Sequence, residues 1–174
     1  MHRLFFALEP DGHARAEIAL LTRPWHDIHG SEGWIAPGRY HVTLAFLGHA
    51  PTFDEDVAAR AADAAAGIDA QGFAVRLERL GSFPGTHAPW FLAPGPAPAL
   101  HALATALGER LVAGGVHFDA RPFVPHLTVR RVRGSAPVVE IAPIESQARE
   151  FLLLHGEDGV PAYQTLGRWP LRAL

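Results

Sequence analysis

The sequence predicts an α+β fold organised around two related strands. The pattern His41-Val42-Thr43-Leu44 recurs as His126-Leu127-Thr128-Val129, and both copies alternate with period 2, as strands do. Strand-like runs are interleaved with stretches of helical spacing. No glycine-rich phosphate loop follows any strand, which sets aside the nucleotide-triphosphate folds. Duplicated strand-helix units would bring the two copies together across a pseudo-twofold cleft.

Taken in order, Leu4 to Leu8 is a compact apolar run closed by Glu9-Pro10-Asp11-Gly12, a buried strand and its turn. Ala14, Ile18 and Leu21 recur at helical spacing, giving a helix from about Asp11 to Thr22 that Pro24 should stop. A loop with Trp25, Trp34 and Pro37 leads into the first motif strand, which ends at Gly48. Thr52 or Asp54 can cap a second helix reaching Ala66, with Gly67 as its stop. Phe73 to Leu80 and Pro89 to Leu92 read as neighbouring strands. Pro94 to Pro98 reads as a linker into a helix from Ala99 to Val112, with Leu100, Leu103, Leu107 and Leu111 on one side. The prolines at 122 and 125 forbid helix and place His126 at a strand start or edge. Residues 147–155 and 160–168 are further strand-like runs around the turn Gly156 to Gly159.

At 174 residues the chain is long enough for one domain with a sizeable core, and residues 1–174 are expected to form a single domain of two lobes. Its 48 % apolar and 19 % charged content belongs to globular proteins, and a net charge of −3 gives no argument from bulk basicity to nucleic acid. All 15 basic residues are arginine, so arginine abundance by itself says little about phosphate. Without cysteine there is no disulfide, thiolate nucleophile or cysteine zinc site. The first apolar run is too short for a signal peptide or a membrane span, so a cytoplasmic chain with no membrane partner is expected.

On a strand, residues two apart share a face, so His41 projects with Thr43 and His126 with Thr128, while Val42, Leu44, Phe46, Leu127 and Val129 face a core. A nucleophilic triad lacks its Gly-x-Ser-x-Gly, and a metal site lacks carboxylates beside either histidine. Two imidazoles partnered by hydroxyls suit acid/base work on a phosphate instead. Such a site needs no metal if the phosphodiester is already activated, as in a strained 2′,3′-cyclic phosphate. The other nine histidines carry no such pairing and read as surface or structural residues.

Arg3-Leu4-Phe5-Phe6-Ala7, then His41 to Gly48, then Arg121-Pro122-Phe123 with Pro125-His126-Leu127-Thr128, and Tyr163 ahead of Trp169-Pro170-Leu171 resemble, in order, the two-histidine (2H) phosphoesterases. Within that superfamily the chain is most similar to the RNA 2′,3′-cyclic phosphodiesterases, also called 2′-5′ RNA ligases. The resemblance implies a bilobal fold with two antiparallel sheets lining the cleft. It further implies no cofactor or metal, a monomer, and an RNA end carrying a cyclic phosphate as partner. His41 and His126 would be acid and base, and Thr43 and Thr128 phosphate ligands. The family's arginine falls on Arg131, whereas strand parity points to Arg130; Arg131 is favoured, because a bulge would break parity. Phe5 would stack on a base or else belong to the core. Relatives often carry a small hydroxyl residue on the late strand where this chain has Leu154-His155, so no substrate contact is expected from that side. The expected activity is opening of 2′,3′-cyclic phosphate RNA ends to 2′-phosphate, with ligation as the reverse. The alternatives are a related enzyme acting on small cyclic or 2′-5′ linked nucleotides, and a noncatalytic RNA-end-binding module.

Overall fold

The computed structural model describes residues 1–173. In chain order it comprises β1 (His2–Leu8), α1 (Gly12–His29), a 3-10 turn (Pro37–Arg39), β2 (Val42–Ala50), α2 (Glu55–Ala66), β3 (Phe73–Ser82), β4 (Trp90–Pro94), α3 (Pro98–Ala113), β5 (Leu127–Arg130), β6 (Val139–Ala148), β7 (Glu150–Glu157) and β8 (Gln164–Pro170). The strands lie in the order β6-β3-β4-β5-β2-β1-β7-β8, and every neighbouring pair is antiparallel.

The two expected sheets are the two halves of this array. Read outward from the middle, β2-β1-β7-β8 mirrors β5-β4-β3-β6, and the units β1-α1-β2 and β4-α3-β5 are the duplicated elements. The halves meet where β2 pairs β5 at Val42 and Leu127, and again where Gly33 to Ile35, ahead of β2, bond Val129 to Arg131. Behind this seam one core is continuous. Leu100, Leu103, Leu107 and Leu111 of α3, Ile18 of α1 and Ala61 of α2 are each at most 2 % exposed and pack with Phe6, Leu92, Leu127 and Val129 of the sheet. Burying one such leucine stabilises the fold by about 1.5–3 kcal/mol. α1 also reaches across to the other half, where the Asp11 carboxylate accepts from the Gln147 backbone N–H and the Asp11 N–H donates to Ser146 Oγ.

Three local expectations change. Pro24 lies inside α1 and does not end it. The carbonyl its missing N–H leaves free is that of Leu20, a residue 67 % exposed, where water can take the bond. The expected linker shrinks to the short connection between Pro94 and Pro98. β6 was not legible as a strand because Pro143 interrupts it and most of its residues are exposed; it sits at a sheet edge, where both features are tolerated.

Candidate active site

The seam builds the site. Val42 and Leu127 face each other across an antiparallel pair, and continuing that register one residue each way sets His41 opposite Thr128 and Thr43 opposite His126. Directly opposed side chains share a face, with Cβ atoms about 4.5–5.5 Å apart. All four are half-buried, on the side of the sheet away from the core that holds Val42, Leu127 and Val129.

The imidazoles are held alike. His41 Nδ1 lies 2.8 Å from the Arg39 carbonyl and His126 Nδ1 lies 2.7 Å from the Val124 carbonyl. A carbonyl only accepts, so each Nδ1 carries the proton and each Nε2 is left for chemistry. Aromatic rings wall both: Phe5 and Tyr163 stand 5.0 and 5.3 Å from His41, Phe83 and Phe91 stand 4.9 and 5.4 Å from His126. Burial pushes His41 down to about 4. The Arg39 carbonyl opposes that shift, and the charges of Arg131, Arg39 and His126 add to it. Burial also lowers His126, against its bond to the Val124 carbonyl and with help from Arg131. Arg131 therefore acts on both imidazoles.

A bulge separates the two arginines. Phe91 pairs Thr128 but Trp90 pairs Arg130, so β5 carries one extra residue and the alternation from His126 breaks there. Arg130 turns inward and is 5 % exposed. Its guanidinium lies 4.7 and 4.8 Å from the ring centres of Trp34 and Trp90, while Nε donates to the Glu32 carbonyl and Nη2 to the His29 carbonyl. It thus serves the carbonyl end of α1, and as a phosphate ligand Arg130 is withdrawn. Arg131 is exposed. Its backbone N–H donates to the Gly33 carbonyl at 2.8 Å, and Gly33, at φ +76°, comes so close that a Cβ there would collide with the Arg131 carbonyl.

Phe5 is 4 % exposed, packed among His41, Tyr163, Ala7, Leu152 and Leu154. It offers no free face to a base and instead supports the His41 ring, which corrects the stacking role. Phe46 was expected in the core, but shifts in the β1–β2 register on both sides of Ala45–Phe46 turn it to the Phe5 side, half-buried. On the late strand, Leu154 packs beneath Phe5, while His155 faces the other way against Phe53 and His2. Arg39, which sequence reasoning missed, stacks on Tyr163 beside His41; nothing in its loop sequence marks it. Among the described residues no group of three His, Cys, Asp or Glu side chains gathers as a metal site would need, and no helix is long and apolar enough to cross a membrane.

A family model described as the 2′-5′ RNA ligase superfamily matches residues 14–155. An RNA 2′,3′-cyclic phosphodiesterase of Geobacillus stearothermophilus is 30 % identical over 149 residues, 79 % of this chain and 47 % of the relative, so the chain spans about half that protein's length. The Escherichia coli (strain K12) protein of the same name is 30 % identical over 176 residues, covering 97 % of this chain and 96 % of its own. The crystal structure of E. coli LigT complexed with 3′-AMP superposes with a TM-score of 0.78 at 28 % identity, covering 98 % of both chains.

Proposed function

The chain belongs to the 2′-5′ RNA ligase superfamily, and on that premise we propose that it is an RNA 2′,3′-cyclic phosphodiesterase, opening cyclic-phosphate ends to 2′-phosphates and running the reverse as 2′-5′ ligation. The observation that carries this is the matched pair of imidazoles, each anchored through Nδ1 to the carbonyl two residues earlier, with Nε2 unpartnered among the described residues and both rings within the field of Arg131. Thr43 and Thr128 supply hydroxyls on the same face.

In the forward direction a water loses its proton to one Nε2 as its oxygen bonds to phosphorus. The bond from phosphorus to the 3′ oxygen breaks, and the second imidazole gives that oxygen a proton, leaving a 2′-phosphate and a free 3′-hydroxyl. Thr43, Thr128 and Arg131 meet the charge on the nonbridging oxygens. The resemblance implies His126 as base and His41 as acid. Burial favours the neutral form of both, so the acid gains its proton with the substrate: an anionic phosphate beside His41 raises it from about 4.

Hydrolysis of a cyclic-phosphate-ended RNA, followed by identification of the phosphate position, tests the reading. A 2′-phosphate product, lost in both His41→Ala and His126→Ala, is expected. A wild-type protein that binds such an end without turnover would instead be a binding module. Extending the assay to nucleoside 2′,3′-cyclic phosphates separates the RNA enzyme from one restricted to small cyclic nucleotides.

A further inference from the structure

The two half-sites match in their imidazoles but not in what surrounds them. The residue whose carbonyl anchors His41 is Arg39; its counterpart beside His126 is Val124, 50 % exposed. Arg39 Cζ lies over the Tyr163 ring, 4.5 Å from its centre, and its Nη2 donates to the Tyr163 hydroxyl at 3.0 Å. Tyr163 is itself fixed edge-on against both Phe5 and His41. Arg39 Nε is buried with no hydrogen-bond partner among the described residues. No carboxylate there pairs with this guanidinium, so its charge is not neutralised locally. Its charge is felt at His41. A cation oriented by an aromatic plane, unneutralised and next to the reacting groups is built to receive an anion.

We propose that Arg39, held on Tyr163, binds a second phosphate of the substrate, the backbone phosphate neighbouring the cyclic one, and so selects polynucleotide ends over nucleoside cyclic phosphates. This role presupposes the cyclic-phosphate chemistry proposed above. The cyclic phosphate itself is provided for by Arg131 and the two threonines, which leaves Arg39 for the next charge along the strand. Because Val124 offers nothing equivalent, the strand leaves the cleft on the His41 side, and a nearly symmetric site acquires a direction.

The test compares two substrates in wild type and in Arg39→Gln: a nucleoside 2′,3′-cyclic phosphate, with one phosphate, and a short oligonucleotide ending in the same cyclic group. The preference for the oligonucleotide, as a ratio of kcat/KM, should fall by about tenfold or more in the variant, chiefly through KM, as expected when a charged hydrogen bond is removed. Oligonucleotide affinity should also lose about 0.7 of its slope in log K against log salt, the amount for one phosphate on a single strand. Tyr163→Phe, which keeps the ring but removes the hydroxyl, should move the ratio the same way by less. A ratio unchanged in Arg39→Gln, whether both activities survive or both collapse, overturns the second-phosphate role. If wild type opens neither substrate, it is the proposed activity that fails.

Discussion

Arg130 and Arg131 are adjacent in sequence, yet replacing each with alanine should injure different properties of the protein. Arg130→Ala deletes charge-assisted hydrogen bonds to the Glu32 and His29 carbonyls and two stacking contacts with Trp34 and Trp90. A hydrogen bond to a charged group contributes about 1.5–3 kcal/mol, and a desolvated cation–π contact about 2 kcal/mol or less. These terms overlap, and the guanidinium's own desolvation offsets part of them, so a net loss of roughly 3–4 kcal/mol is expected. For a chain of this size that corresponds to a fall in Tm of about 6–16 °C. Arg131 is exposed, so its replacement should change stability by no more than about 0.5 kcal/mol while slowing turnover by roughly one to three orders of magnitude. Thermal unfolding and the cyclic-phosphate assay, run on both variants at a temperature where both are folded, read the two effects separately. An Arg130→Ala protein with wild-type Tm and lost turnover would mean that the bulge in β5 had been misread and that parity was the right guide.

Two further outcomes follow from the site. Plotted against pH, kcat/KM should form a bell peaking between about 4 and 6.5, because both free-enzyme imidazoles lie below 6.5 and His41 near 4. The kcat profile should sit at higher pH, since bound phosphate raises both groups, and a flat profile from pH 5 to 9 would rule out the paired imidazoles. Turnover should survive exhaustive chelation; loss of activity that zinc or manganese restores would refute phosphate binding by Thr43, Thr128 and Arg131 alone.

Much of the site is legible in the sequence because period-2 alternation carries position directly. Knowing that His41 and Thr43 share a face, and His126 and Thr128 another, requires only that both segments be strands, and the repeat suggests that the faces meet. What the alternation does not reveal is where it is interrupted. Register shifts after Thr43 turn Phe46 out of the core, and the bulge after Thr128 sends Arg130 inward. Neither leaves a composition signal, since the extra residues, Leu44, Leu47 and Val129, are ordinary strand residues. Arg39 was invisible for another reason: its role depends on Tyr163, 124 residues away. β6 was missed because an exposed edge strand lacks the apolar face by which strands are recognised.

The single residue pair between β2 and β5 also affects rigidity. A continuous ladder would lock the two halves at the surface where chemistry is proposed; here the helix layer binds them from behind, β2 and β5 pair at Val42 and Leu127 alone, and the pairing resumes only beyond the site, where Gly33 and Ile35 bond Arg131 and Val129. On the proposed reading, a phosphate gripped by Thr43 from one half and Thr128 from the other adds a tie between β2 and β5. Cargo and scaffold are then mechanically one object, and departure of the product loosens the joint that held it.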